Sequence, residues 1–256
     1  MLASIFYGII LIITWILSAL FAVSGFGAAT TLIPIYYSMG IPFSIAAATG
    51  LLLNVFSLSS ATINNKRHKY IMWKTGTIFV IPAVAMALVG AIVGTHTPDY
   101  ILLTIFVLFL LYTLYNLITS QKRTKRRTEM KNLNEVLLGI AIGGIAGFLG
   151  GLLGVGGGLI ILPVLTFMES DFKKIAGTTA YVALFSSLSG FLSYLAILHG
   201  INYILWIVVL VGGALGGVTG SALMHRFDSK NVRILIIIII IFVAAKTAYS
   251  LITGFL

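Results

Sequence analysis

There is no cysteine in these 256 residues. Disulfides, thiolate nucleophiles and cysteine metal sites are therefore excluded. Acidic residues are scarce, 6 against 16 Lys and Arg, and charged residues of both signs make up only 9% of the chain. A soluble domain of ordinary composition carries about 25%. The six carboxylates are Asp99, Glu129, Glu135, Glu169, Asp171 and Asp228, and all fall in loops or at the ends of apolar runs. The mid-membrane carboxylate relay used by many proton- and sodium-driven carriers is thus missing. His68, His96, His199 and His225 are scattered through loops, with no metal-ligand spacing. No Ser-His-Asp grouping can be placed, and no Gly-Lys-Ser/Thr follows a glycine loop, so nucleotide hydrolysis is unsupported. Neither a metal, a cofactor nor an enzymatic activity is expected.

What is present is apolar. Hydrophobic residues make up 59% of the chain and the mean hydropathy is +1.11. This predicts an all-α polytopic membrane protein, with membrane lipids as its surroundings. The net charge of +10 would suggest nucleic acid in a soluble protein. Here it fits positively charged cytoplasmic loops, and no nucleic-acid partner is expected. No basic stretch precedes the first apolar run, so residues 2–24 read as a membrane span rather than a cleaved signal peptide.

The apolar runs cover 2–24, 28–39, 43–64, 72–94 and 99–119, then 135–153, 157–168, 173–198, 202–224 and 231–254. They divide the chain into a first transmembrane repeat over 1–119, a basic linker over 120–134 and a second transmembrane repeat over 135–256. Each repeat has five segments, and the second in each is short. Twelve helical residues reach about 18 Å, too short for a hydrocarbon core of ~30 Å.

Each short segment opens on glycines. Gly154-Val155-Gly156-Gly157-Gly158 leads to Pro163, and Gly25-Phe26-Gly27 leads to Pro34 with the same spacing, 129 positions earlier. Thr49 with Thr178 and Ser57 with Ser186 repeat at that offset. Paired, short, Gly/Pro-interrupted segments in equivalent halves point to a transporter binding site. Converging backbone N–H groups at a helix start favour an anion. The plainer reading is that the glycines make turns or allow close packing.

Charge sets the topology. If the short segments cross, each half has five crossings and the halves are inverted. Of the 16 basic residues, all but Lys246 then fall on one side, with the linker in the cytoplasm. If they are re-entrant, Lys173, Lys174, Arg226, Lys230 and Arg233 face out. The inverted arrangement is expected, in the cell (inner or cytoplasmic) membrane.

Glycines recur every fourth residue at 139, 143, 147 and 151, and at 212, 216 and 220. Such rows let helix backbones touch, within the bundle or at a homodimer contact. Polar residues gather in the third segment of each half: Thr49, Asn54, Ser57, Ser59 and Ser60, then Thr178, Thr179, Ser186, Ser187 and Ser189. The candidate substrate-binding residues are Gly25, Phe26, Gly27, Thr30, Thr31, Thr49, Asn54, Gly154, Gly156, Gly157, Gly158, Thr178, Thr179 and Ser186. Lys246, inside the last run, either snorkels to an interface or attracts the anion.

The run Gly151 to Gly158 with Leu162-Pro163 resembles the signature of the TauE/SafE anion exporters, and Gly25-Phe26-Gly27 with Pro34 is similar to that family's first repeat. Ala28 and Ala29 stand where the second half has Gly157 and Gly158, which suggests an asymmetric site. The resemblance implies export of sulfite, sulfoacetate or related sulfonates. The expected function is therefore an integral membrane transporter for a small anionic substrate. The alternative is an anion channel, with a membrane scaffold or enzyme further behind.

Overall fold

A computed structural model describes residues 2–24, 28–119, 132–169, 171–198, 203–223 and 229–253. Within them lie ten helices: α1 (Leu2–Ser24), α2 (Ala29–Ser38), α3 (Phe43–Arg67), α4 (Trp73–His96), α5 (Asp99–Thr119), α6 (Asn132–Leu153), α7 (Gly158–Met168), α8 (Phe172–Ile197), α9 (Tyr203–Leu223) and α10 (Ser229–Thr253). Six of these are long and apolar enough to cross a membrane: α3, α4, α5, α6, α8 and α9. Shorter apolar stretches, Ile5–Phe21 and Ile237–Tyr249, lie in α1 and α10. The short segments do form short helices, of 10 and 11 residues. The first helix after the linker begins earlier than its apolar run, since α6 starts at Asn132.

Local chemistry fixes the ends. Asp171 accepts from the backbone N of Lys173 at 2.9 Å and caps α8. Lys66 and Arg67 stand in the last turn of α3, where they complement the helix dipole. The backbone N of Phe43, at the start of α3, donates to Asp99 Oδ2 at 3.4 Å.

Lipid gives helices no hydrophobic reason to associate, so backbones must approach closely enough for dispersion and polar contacts to hold them. The glycine rows achieve this inside the chain. Gly139, Gly143, Gly147 and Gly151 of α6 lie on Ile78, Phe79, Ala83 and Ala87 of α4. Gly212, Gly216 and Gly220 of α9 lie on Thr14, Ser18 and Ala19 of α1. Large side chains such as Ile81, Leu108, Ile207 and Phe242 point outward instead.

The same contacts give the sense of each pair. α6 runs parallel to α4, and α9 to α1. Ser189 and Ser193 of α8 donate to the carbonyls of Val84 and Leu88 at the same 105-residue separation, so α8 also runs parallel to α4. Gly213 and Gly217 of α9 meet Leu53 and Ser57 of α3, again in parallel. α3 and α8 run antiparallel: Gly190 meets Leu51, while Leu58 clusters with Ala180 and Ala183. Hence α1 and α3 point the same way, as do α6 and α8. The chain returns between them through α2 and α7 with their flanking turns. Exchanging the first five helices for the last five carries α1–α9 into α6–α4 and α3–α9 into α8–α4.

The end of α3 and the starts of α4 and α8 meet. Lys173 Nζ lies 5.6 Å from the centre of the Tyr70 ring. Lys66, Arg67, Lys69, Lys74, Lys173 and Lys174 thus share one end of the bundle, with Thr97 and Asp99 at the other.

Candidate functional site

α6 ends at Leu153 and the chain reverses into α7 over four residues. Gly154, Gly156 and Gly157 take φ of 79, 73 and 72°, a region where any side chain is strained. Gly156 N donates to Gly150 O at 3.2 Å and closes the turn. α7 then starts deep in the protein, with residues 154–162 all buried. Pro163 is its sixth residue, as Pro34 is of α2. Each ring removes the donor for the carbonyl four positions back, Leu159 and Thr30.

Both central helices hold this turn. Asn54 Nδ2 on α3 donates to Val155 O at 3.2 Å. Ser186 Oγ on α8 donates to Gly156 O at 2.6 Å. With those carbonyls occupied, the N–H groups that face out of the helix start are those of Gly158 and Leu159, which an α-helix cannot satisfy internally. They carry the positive end of the helix dipole.

Unpaired polar atoms collect at the same place. Asn54 Oδ1 and Ser187 Oγ are buried and have no hydrogen-bond partner among the described residues. A Cβ built on Gly156 would run into Ser187 Oγ and would lie 3.0 Å from Asn54 Nδ2. Ser57 Oγ, one turn further along α3, is also buried and unpaired. An orphaned buried polar group costs about 1–3 kcal/mol. Two such groups, the Asn54 amide and the Ser187 hydroxyl, flank Gly156, where a polar ligand could satisfy them.

Of the residues singled out in the sequence, the structure brings Asn54, Gly156, Gly158 and Ser186 together here. Ser187 joins them, although it repeats no polar residue of the first half. Gly154 and Gly157 lie at the turn with their Cα atoms against protein. A Cβ on Gly154 would sit 2.5 Å from Ala47 Cα, and one on Gly157 would strike the carbonyl of Ala146.

Thr49 and Thr178 are engaged between the halves. Thr49 Oγ1 donates to Ile45 O at 2.7 Å and accepts from Trp206 Nε1 at 3.1 Å. Thr178 Oγ1 accepts from the backbone N of Met72 at 3.0 Å. Thr179 Oγ1 is buried and unpaired among the described residues. At the start of α2, Thr31 Oγ1 donates to Ala28 O at 3.1 Å, while Thr30 Oγ1 is buried without a partner among the described residues. Gly25, Phe26 and Gly27 lie outside the described residues. Lys246 Nζ donates to Ser38 Oγ at 2.8 Å, at the end of α2 remote from its glycines. Among the described residues no group of His, Asp and Glu could hold a metal ion.

Residues 10–247 match the family model described as Sulfite exporter TauE/SafE. The chain is 24% identical over 222 residues to the "Probable membrane transporter protein YunE" of Bacillus subtilis (strain 168), covering 80% of this chain and 81% of that one. It is 27% identical over 236 residues to the "Probable membrane transporter protein MJ0441" of Methanocaldococcus jannaschii, covering 88% of this chain and 87% of that one. A third relative, the "Probable membrane transporter protein YjnA" of Bacillus subtilis (strain 168), is 28% identical over 87% of this chain and 92% of its own. No solved structure matches the chain.

Proposed function

Since the chain belongs to the sulfite exporter TauE/SafE family, we propose that it exports a small sulfur-containing anion, sulfite or a sulfonate such as sulfoacetate, bound at the start of α7. The observation that carries the reading is the convergence of buried, unpaired Asn54 Oδ1 and Ser187 Oγ on the glycine turn. The Ser187 hydroxyl and the first N–H groups of α7 are donors to the oxyanion. Asn54 Oδ1 is an acceptor, and a water or a proton carried by the substrate satisfies it.

The two halves act as inverted repeats, a reading supported by the exchange-related packing senses and by Pro34 and Pro163 at equal depth in α2 and α7. The linker and the basic end face the cytoplasm of a cell membrane. The groups gathered at the turn are neutral, so the site need not take up a proton to bind or release. The membrane potential, negative inside, then favours exit of a monovalent anion by ~2.3 kcal/mol per 100 mV.

Purified protein in liposomes tests this. Sulfite flux should saturate with concentration, respond to an imposed potential and resist competition by chloride. Unsaturated single-channel currents would make the protein an anion channel, and a strict need for a pH gradient at fixed potential would remove the uniport mechanism.

A further inference from the structure

We infer that a second anion subsite lies between Thr62 of α3 and Thr179 of α8, on the route from the α7 turn to the basic end. The inference rests on the transport reading, but its observations are separate from those of the turn. Thr62 Oγ1 and Thr179 Oγ1 are both buried, at 9% and 0% exposure, and neither has a hydrogen-bond partner among the described residues.

The antiparallel packing of α3 and α8 sets them at one level. Asn54 and Ser187 face each other across Gly156, and Leu58 clusters with Ala180 and Ala183 a turn further along. One more turn forward on α3 reaches Thr62, and one more turn back on α8 reaches Thr179. Each threonine is eight residues from its partner at the turn, about 12 Å along the helix. Ser57 Oγ, unpaired, lies between the two levels. Beyond Thr62 come buried Asn65, then Lys66 and Arg67 at the end of α3 and Lys173 at the start of α8.

A threonine inside a membrane helix ordinarily bonds to the carbonyl four residues back. Thr49, Thr77, Thr104 and Thr247 of this chain all do so. Thr62 and Thr179 leave that bond unmade while buried on facing helices of the central pair. A pair of hydroxyls can donate to an oxyanion that has shed part of its water. The basic end supplies the field that draws the anion in. The anion thus passes Lys66, Arg67 and Lys173 and pauses between the threonine hydroxyls, with the buried Leu58 cluster between it and the turn.

Thr62→Val and Thr179→Val keep the side-chain shape and remove the hydroxyl. In liposomes loaded with sulfite, each should cut flux about tenfold. Thr113 of α5 is also buried and unpaired but lies off this seam, so Thr113→Val should stay within twofold of wild type. Separately, Thr62→Cys and Thr179→Cys should react with an anionic methanethiosulfonate added to the linker side, faster than with its cationic analogue. Normal flux in both valine variants would overturn the subsite while leaving the transport reading intact. If the wild-type protein moves no sulfite, that reading fails. The cysteines then decide the seam alone: reaction keeps an anion-accessible path, and reaction only after denaturation removes it.

Discussion

Asn54 and Val155 are joined by a 3.2 Å hydrogen bond from the amide Nδ2 to the backbone carbonyl, 101 positions apart in sequence. The bond ties the middle of α3 to the turn that starts α7. It fixes the amide so that Oδ1 is left buried and unpaired. A donor turned inward to the backbone and an acceptor left over are what set Asn54 apart from the hydroxyls around it.

Asn54→Ala should therefore lower sulfite flux by about tenfold, the equivalent of one hydrogen bond of about 1.4 kcal/mol. Asn54→Asp should cost far more, because a carboxylate oxygen would face the Val155 carbonyl and a negative charge would face the anion. Efflux from liposomes, normalised to the amount of protein inserted, reads both. Equal flux in the two variants would separate Asn54 from the anion.

Gly156→Ala should abolish flux. Its φ of 73° strains any side chain, and the added methyl strikes Ser187 Oγ. Combining it with Ser187→Ala relieves the collision and leaves the strain, about 1–2 kcal/mol. The double variant should recover part of the lost thermal stability without recovering flux. Gly8→Ala, where no atom lies within 4 Å, should be silent in both measurements.

The glycine rows show what the sequence made legible and what it did not. Spacing alone marked Gly139 to Gly151 and Gly212 to Gly220 as packing seams, and the helix limits followed the apolar runs to within a few residues. Which glycine tolerates a methyl did not follow, because spacing carries no distances. Gly143 looks replaceable by alanine at such a seam, yet its Cβ would lie 2.7 Å from Phe79 O and 2.9 Å from Pro82 Cγ. The next residue, Gly144, would meet only Met86 Cγ at 3.6 Å. Gly143→Ala should cost about 2 kcal/mol, which for a chain of this size is a drop in Tm of roughly 4–8 °C. Gly144→Ala should leave Tm nearly unchanged.

The site was legible in part for a similar reason. Asn54 stood out because an amide in mid-span needs a partner, and Ser186 because it repeats Ser57. Ser187 aligns with Leu58, so the internal repeat hides it; its place beside Gly156 arises from α8 packing on the α7 turn. Thr49 and Thr178 share a repeat position, and what they share in the structure is a hydrogen bond to the other half. Such interhelical bonds average about 0.6 kcal/mol. Thr178→Val should thus lower Tm by a few degrees at most and reduce flux less than Asn54→Ala.

Topology can be read on a background free of cysteine. Thr97→Cys should label in intact cells with a membrane-impermeant maleimide, and Lys69→Cys only after permeabilisation. Labelling of Lys69→Cys from outside would turn the basic end outward and reverse the direction of the field proposed to draw the anion in.

The most direct measurement is the position of a bound oxyanion. Selenite is a close analogue of sulfite and scatters anomalously, so crystals of the transport-competent protein grown with selenite locate it without ambiguity. The account predicts a selenium peak within hydrogen-bonding reach of Ser187 Oγ and the backbone N–H groups of Gly158 and Leu159, whether or not a second peak lies between Thr62 and Thr179. A peak elsewhere in the bundle, with none at the α7 turn, would contradict it.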